Sequence, residues 1–385
     1  MSAIFLPRIV RIRGGALDEL PAAMAQCGLS RPLIITDNFL LNGSAGERLT
    51  YILAAAGMKA LIFVETVPDP TVAVVDAALD MLAGYQCDCV IGFGGGSPID
   101  TAKAVAALGI ERRPVSSLKV PVITDSPGLP VIAIPTTAGT GSEATRVTII
   151  TDEESSEKML CMGLAFLPTI AIVDFELTLT KPRRLTADTG IDSLTHAIEA
   201  YVSKRANPFS DAVALSAMKL IAANIRRACD VPDDRAAREA MMVGAHHGGL
   251  AFSNSSVALV HGMSRPIGAF FHVPHGLSNA MLLPAVTRFS APAALPRYAD
   301  CARAMGVAQE HEGDQSAVAR MIDALEQLNA DLHVPSPRSH GIVEETYRNL
   351  VPTMAAQAIA SGSPGNNPRE ATAEEIGELY LEAYG

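Results

Sequence analysis

Tryptophan is absent from this 385-residue chain, and aromatic residues make up only 5% of it. Base-stacking platforms for single-stranded nucleic acid are therefore not expected. Positive charge is also short: 30 Lys and Arg stand against 41 Asp and Glu, a net charge of -11. A surface of that sign disfavours a phosphate backbone. No apolar run reaches the ~20 residues that cross a bilayer. Residues 1–15 hold no apolar stretch followed by a cleavage site. No C-x-x-C pair occurs among Cys27, Cys87, Cys89, Cys161, Cys229 and Cys301. Scattered thiols in a long chain fit a reducing compartment, and Cys87 and Cys89 read as inert packing on one side of a strand. The expectation is a cytoplasmic protein without a nucleic-acid or membrane partner, which engages a small molecule or another copy of itself.

A chain of this length exceeds what one core usually supports, so two domains are expected. Up to about residue 180, short apolar runs alternate with helical spacing. Arg31–Asp37, Ala60–Val64, Cys89–Phe93, Val131–Ile134 and Ile170–Val173 read as strands; Leu49–Gly57 and Val72–Gly84 read as helices. Runs apolar at every position suit a parallel sheet covered on both faces. Beyond Leu179 helical stretches take over: Leu185–Lys204, Asp211–Ala228, Asp234–Ala251 and Gln315–Leu332. The reading is an α/β nucleotide-binding-like domain over 1–180 and an all-α domain over 181–385.

Ile91-Gly-Phe-Gly-Gly-Gly-Ser-Pro-Ile-Asp100 joins a strand to a helix, with Ser97 as N-cap and Pro98 as first helical residue. Open glycine amides at a helix amino end suit a pyrophosphate; a tight turn without ligand is the alternative. Asp37 ends an earlier strand, where a carboxylate either accepts ribose hydroxyls and favours NAD over NADP or serves an ordinary turn. Pro135-Thr-Thr-Ala-Gly-Thr-Gly-Ser-Glu143 offers hydroxyls and amides to a cofactor, or caps the next helix.

Asp192 and His196 lie four apart on Thr186–Ala200, on one helix face. They could share a divalent cation or hydrogen bond at the surface. His261 closes the apolar run Val257–Val260, and His275 lies in Val273-Pro-His-Gly276. Pro266 and Pro274 are expected to interrupt the chain between them, so that two backbone pieces converge. One carboxylate and three imidazoles suit Fe²⁺ or Zn²⁺, a Lewis acid for a substrate oxygen. His272, three residues before His275, is placed to face the substrate.

Gly94–Lys103, Pro135–Glu143, Leu185–His196, His261-Gly-Met and Val273–Gly276 together carry a resemblance over nearly the whole chain. It resembles the iron-containing (group III) alcohol dehydrogenases. The resemblance implies an α/β dinucleotide-binding domain and an all-α domain, the dehydroquinate synthase-like architecture. It makes Asp192, His196, His261 and His275 the metal ligands. Gly95, Gly96 and Ser97 would hold pyrophosphate, with Asp100 in the same cofactor-binding stretch. Asp37 would hold the adenosine ribose, and Thr136, Thr137 and Thr140 the nicotinamide side. Lys158, in Glu157-Lys-Met159, matches another cofactor-contacting position. A homodimer or larger assembly is implied, as is hydride transfer between NAD(H) and a small alcohol–aldehyde pair, which extends to a short hydroxy acid or its semialdehyde.

One departure stands out. Many members carry a histidine four residues after the third ligand, where this chain has Arg265. A guanidinium stays protonated and is a poor general base. Proton relay then falls to His272 or water, and Arg265 either favours anionic substrates or pairs with a structural acid. The other readings are a zinc-dependent, glycerol-type polyol dehydrogenase, a hydroxyacid–oxoacid transhydrogenase, a dehydroquinate-synthase type of lyase and a nucleotide-binding sensor without chemistry.

Overall fold

Strands that are apolar at every position need cover on both faces. A computed structural model, which describes residues 3–155 and 157–385, supplies it. Two compact units form, Phe5–Thr180 and Lys181–Gly385, and the described residues before Phe5 group with the second.

The first unit runs β1 (Ile9–Ile12), α1 (Leu20–Gln26), β2 (Pro32–Ile35), α2 (Asn38–Leu41), α3 (Ser44–Ala55), β3 (Leu61–Phe63) and α4 (Val72–Ala83). It continues through β4 (Cys89–Gly94), α5 (Gly96–Leu108), β5 (Val131–Pro135), β6 (Val147–Asp152), β7 (Glu157–Met162) and β8 (Ile170–Val173). Six strands lie parallel in the order β1-β8-β5-β4-β2-β3. Alternate strand residues feed two cores. Leu33, Ile35, Val90 and Val131 pack with α4, α5 and the antiparallel β6–β7 pair. Ile34, Ile91, Ile132 and Ile172 pack with α1 and α3. The strand order reverses between β2 and β4, since the chain leaves β2 for the edge strand β3 and returns to β4 on the other side. Ligands of open parallel sheets bind beyond the strand carboxyl ends at such a reversal.

The second unit holds α6 (Arg183–Val202), α7 (Pro208–Asp230), α8 (Arg235–Ser253), α9 (Leu259–Phe271) and α10 (His275–Ser290). Then come α11 (Leu295–Ala304), α12 (Asp314–Asp331), α13 (Glu344–Ala360) and α14 (Ala373–Tyr384). Nearly all of α6 is buried, against α7, α8 and α10. No helix among the described residues is long and apolar enough to cross a membrane.

Three expectations change. Ser97 is not the N-cap of α5: the cap is Gly95, and Ser97 and Pro98 lie inside the first turn. Pro266 does not interrupt the chain; it sits within α9. The break comes at His272–Pro274, where His272 takes φ 55° and Val273, preceding a proline, is disfavoured in a helix. Cys87 lies before β4 rather than in it, half-buried, while Cys89 is buried in the strand.

Candidate metal centre

Helix periodicity places Asp192 and His196 on one face of α6, and the turn at His272–Pro274 folds the start of α10 back toward α9. The result is convergence on one oxygen. Asp192 Oδ1 lies 3.5 Å from His261 Nε2, 3.8 Å from His275 Nε2 and 3.9 Å from His196 Nε2. A cation bound at the usual 2.0–2.2 Å separates tetrahedral ligands by about 3.4 Å. Asp192, His261 and His275 bring ligand atoms within 4.8 Å of one another, a set that suits one divalent ion; His196 lies 3.9 Å from the shared oxygen but outside that mutual group, so its ring must close in to join it. Asp192, His196 and His261 are buried and His275 is half-buried, which leaves one side open. The rings of His196 and His261 stack with centroids 4.5 Å apart, and Phe252 of α8 stacks on the far face of His196 at 4.3 Å.

Burial alone would raise the Asp192 carboxyl, but the three imidazoles outweigh it and hold it far below the carboxylate range. Burial lowers the His261 imidazole, whereas Glu199 and Asp192 together raise it to about 9. A fit to a cation also shows in Asn279. Its Nδ2 lies 2.6 Å from Asp192 Oδ1, 3.2 Å from His261 Nε2 and 3.3 Å from His275 Nε2, so three ligand atoms face a single point. Its Oδ1 is buried without a hydrogen-bond partner.

Two further residues were expected near the substrate. His272 is exposed and caps α9 in the left-handed region. Arg265 lies one turn after His261; its Nη1 donates to Ser363 Oγ at 3.2 Å, and its Nε is buried without a partner. No ion pair engages it among the described residues. Burial pushes the guanidinium below its ordinary value, and the charge of Glu199 acts against this.

In the first unit, Asp37, Gly95–Ser97 and Thr136–Thr140 follow the carboxyl ends of the neighbouring strands β2, β4 and β5. Gly94 adopts φ 154°, open to glycine, and aims the chain into α5. No side chain caps α5, so its first-turn amides remain for an anion. A methyl group at Gly96 would sit 3.0 Å from Thr140 Cγ2, and one at Gly95 3.5 Å from Thr137 Oγ1. The glycine and threonine loops thus adjoin. Thr136 is buried, its amide donating to Gly94 O at 2.9 Å. Asp37 Oδ1 accepts from Leu40 N at 2.8 Å and caps α2. Lys158 Nζ pairs with Asp69 at 2.9 Å.

Asp100 turns to another task. It accepts from Ser142 Oγ at 2.7 Å and Ile149 N at 3.0 Å, and so ties α5 to the end of the threonine loop and to β6. Lys103, fully buried, donates to Thr145 O, Thr145 Oγ1 and Val147 O at 2.8–3.0 Å. Burial pushes its ammonium down to about 8, while Asp100 and Glu143 act against that. Lys103→Met would strand those acceptors and two acids. It is expected to cost about 3–5 kcal/mol in urea unfolding, and a loss within experimental error would contradict the assignment.

Residues 7–175 match the description "Iron-containing alcohol dehydrogenase", and residues 186–384 match "Fe-containing alcohol dehydrogenase family, C-terminal". The chain belongs to the iron-containing alcohol dehydrogenase family. It is 38% identical over 373 residues to the lactaldehyde reductase of Escherichia coli (strain K12), covering 96% of both chains. A solved 1,3-propanediol oxidoreductase superposes with TM-score 0.95 at 33% identity, all of both chains covered. A sulfoacetaldehyde reductase from Bifidobacterium kashiwanohense, solved in complex with NAD+, follows with TM-score 0.89 and 28% identity, 100% of this chain and 99% of that one being covered. This alcohol dehydrogenase is therefore an oxidoreductase acting on CH–OH groups, and iron is its family's metal.

Sequence reasoning missed Asn279, Glu199 and Phe252 in this dehydrogenase. Glu199 could have been found, because it falls seven residues after Asp192 on the same helical stripe. Asn279, four residues after His275, carried the same kind of signal on α10. Phe252 needed the tertiary structure.

Proposed function

We propose that the chain transfers hydride between NAD(H) and a short alcohol–aldehyde pair, with Fe²⁺ held by Asp192, His196, His261 and His275. The convergence of three imidazoles on Asp192 Oδ1 within 3.9 Å carries the reading. A bound divalent ion supplies Lewis-acid polarisation of the substrate oxygen. The protein's own part is to hold the four donors and to keep Asp192 ionised. Gly95, Gly96 and Ser97 offer amides to pyrophosphate, and Thr136, Thr137 and Thr140 flank them on the nicotinamide side. Asp37 has its second oxygen for a ribose hydroxyl, and its charge repels a 2′-phosphate. Lys158 approaches the cofactor from β7, and Asp100 acts by holding the loops rather than by contact. His272, exposed, passes the proton to water. The NAD+ complex of the sulfoacetaldehyde reductase supports this cofactor.

Arg265 favours substrates with an anionic or oxygen-rich tail, because its charge lacks an acid partner. In a panel on Fe²⁺-reconstituted protein, propanal and succinic semialdehyde should both be reduced with NADH in preference to NADPH. Arg265→Ala should lower kcat/KM for the semialdehyde by about 10- to 100-fold, the worth of a charge-assisted hydrogen bond, and leave propanal nearly unchanged. An unaltered ratio removes the role of Arg265; no turnover of any aldehyde removes the dehydrogenase reading.

The six free thiols suit a reducing cytoplasm. Leu6 and Ile12, exposed apolar residues at or beside the edge strand β1, suit cover by a second copy. Light scattering at the mass of one chain would remove the oligomer.

A further inference from the structure

Helix α9 starts without a cap of its own. Its N-cap residue is Ala258, which has no side-chain acceptor for the open first-turn amides. The acceptor comes from α6. Glu199 Oε2 accepts from Ala258 N at 2.9 Å, and Oε1 from Val260 N at 2.6 Å. The same Oε2 lies 2.6 Å from His261 Nδ1. Glu199 is only 3% exposed, so these bonds form out of water.

A carboxylate facing Nδ1 fixes the imidazole. It keeps the proton on Nδ1, leaves the Nε2 lone pair outward and makes the ring a stronger donor. Nε2 is the atom 3.5 Å from Asp192 Oδ1. Because the same two oxygens hold the amides of α9, the position of the ring is tied to the position of its helix.

We propose that Glu199 is a positioning residue for the metal centre, holding His261 with Nε2 toward the cation and at the same time capping α9. The proposal rests on the reading of Asp192, His196, His261 and His275 as metal ligands. A residue that only capped the helix would change stability and leave affinity for metal alone.

The test uses metal-free full-length protein, with Zn²⁺ affinity measured by chelator competition and the apo Tm measured in parallel. Glu199→Gln keeps an acceptor for the cap but loses the charge facing Nδ1. It should weaken Zn²⁺ binding about 10- to 100-fold. In a His261→Asn background the same change should alter affinity less than about 3-fold, since Glu199 acts through that ring. Wild-type affinity in Glu199→Gln, or an equal loss in both backgrounds, overturns the proposal. In the Zn²⁺-loaded wild type, histidine-labelled NMR should show His261 protonated at Nδ1. The opposite tautomer also overturns it, even where the variants do not fold. Wild-type protein that binds no Zn²⁺ overturns the ligand reading itself, an outcome distinct from the others.

Discussion

Asp192→Ala should lower kcat roughly 10³-fold and yield protein that no longer retains metal through gel filtration, since several kcal/mol of charge stabilisation depend on the site. The reason is geometric. Asp192 Oδ1 is the one atom near the Nε2 of all three histidines, and Asp192 is only 2% exposed. Without it, the three Nε2 atoms face one another with no anion between them, since Glu199 meets His261 only at Nδ1. Asp192→Asn keeps the shape and removes the charge, so it separates charge from packing. Metal content and kcat should fall together in both variants. Wild-type metal content in either would show that the carboxylate is not a ligand.

Gly276→Ala should be nearly as damaging, although it replaces no ligand. A Cβ at Gly276 would lie 2.3 Å from the carbonyl oxygen of Asp188 and 3.3 Å from Asp192 Cβ. The obstacle is backbone, which no rotamer change relieves. The first turn of α10 must retreat from α6 and take His275 away from Asp192. A misplacement of about 1 Å can cost about 10²-fold in rate, and kcat/KM should fall by that order. Gly313→Ala, with nothing within 4 Å of its Cβ, is the control and should behave as wild type. Unchanged kinetics in Gly276→Ala would mean that the contact between α6 and α10 does not set the site.

Much of this was legible because the physics is local. The runs at β2, β4, β5 and β8 are apolar on both faces, and the structure covers both. The α6 spacing of Asp192 and His196 needed only 3.6 residues per turn. What escaped depends on context. β1 is four residues long and contains Arg11, which obscures any pattern. β6 and β7 alternate buried and half-buried positions over most of their length, but their residue types do not alternate, and Thr, Asp, Glu and Lys broke the apolar runs used as the guide. Pro266 was weighted as a breaker, yet a helix packed along its length tolerates one lost amide, and the stop came from Val273-Pro274 instead. Asp100 stands within the glycine stretch and read as a cofactor contact. Its side chain faces Ser142 and Ile149, a choice set by which way one turn of α5 points.

The most direct measurement is anomalous diffraction at the iron edge from crystals grown anaerobically with Fe²⁺. The account predicts one strong peak per chain, about 2.0–2.3 Å from a carboxylate oxygen of Asp192 and from Nε2 of His196, His261 and His275. A peak held by other side chains, or density at these four with no metal in it, would contradict it.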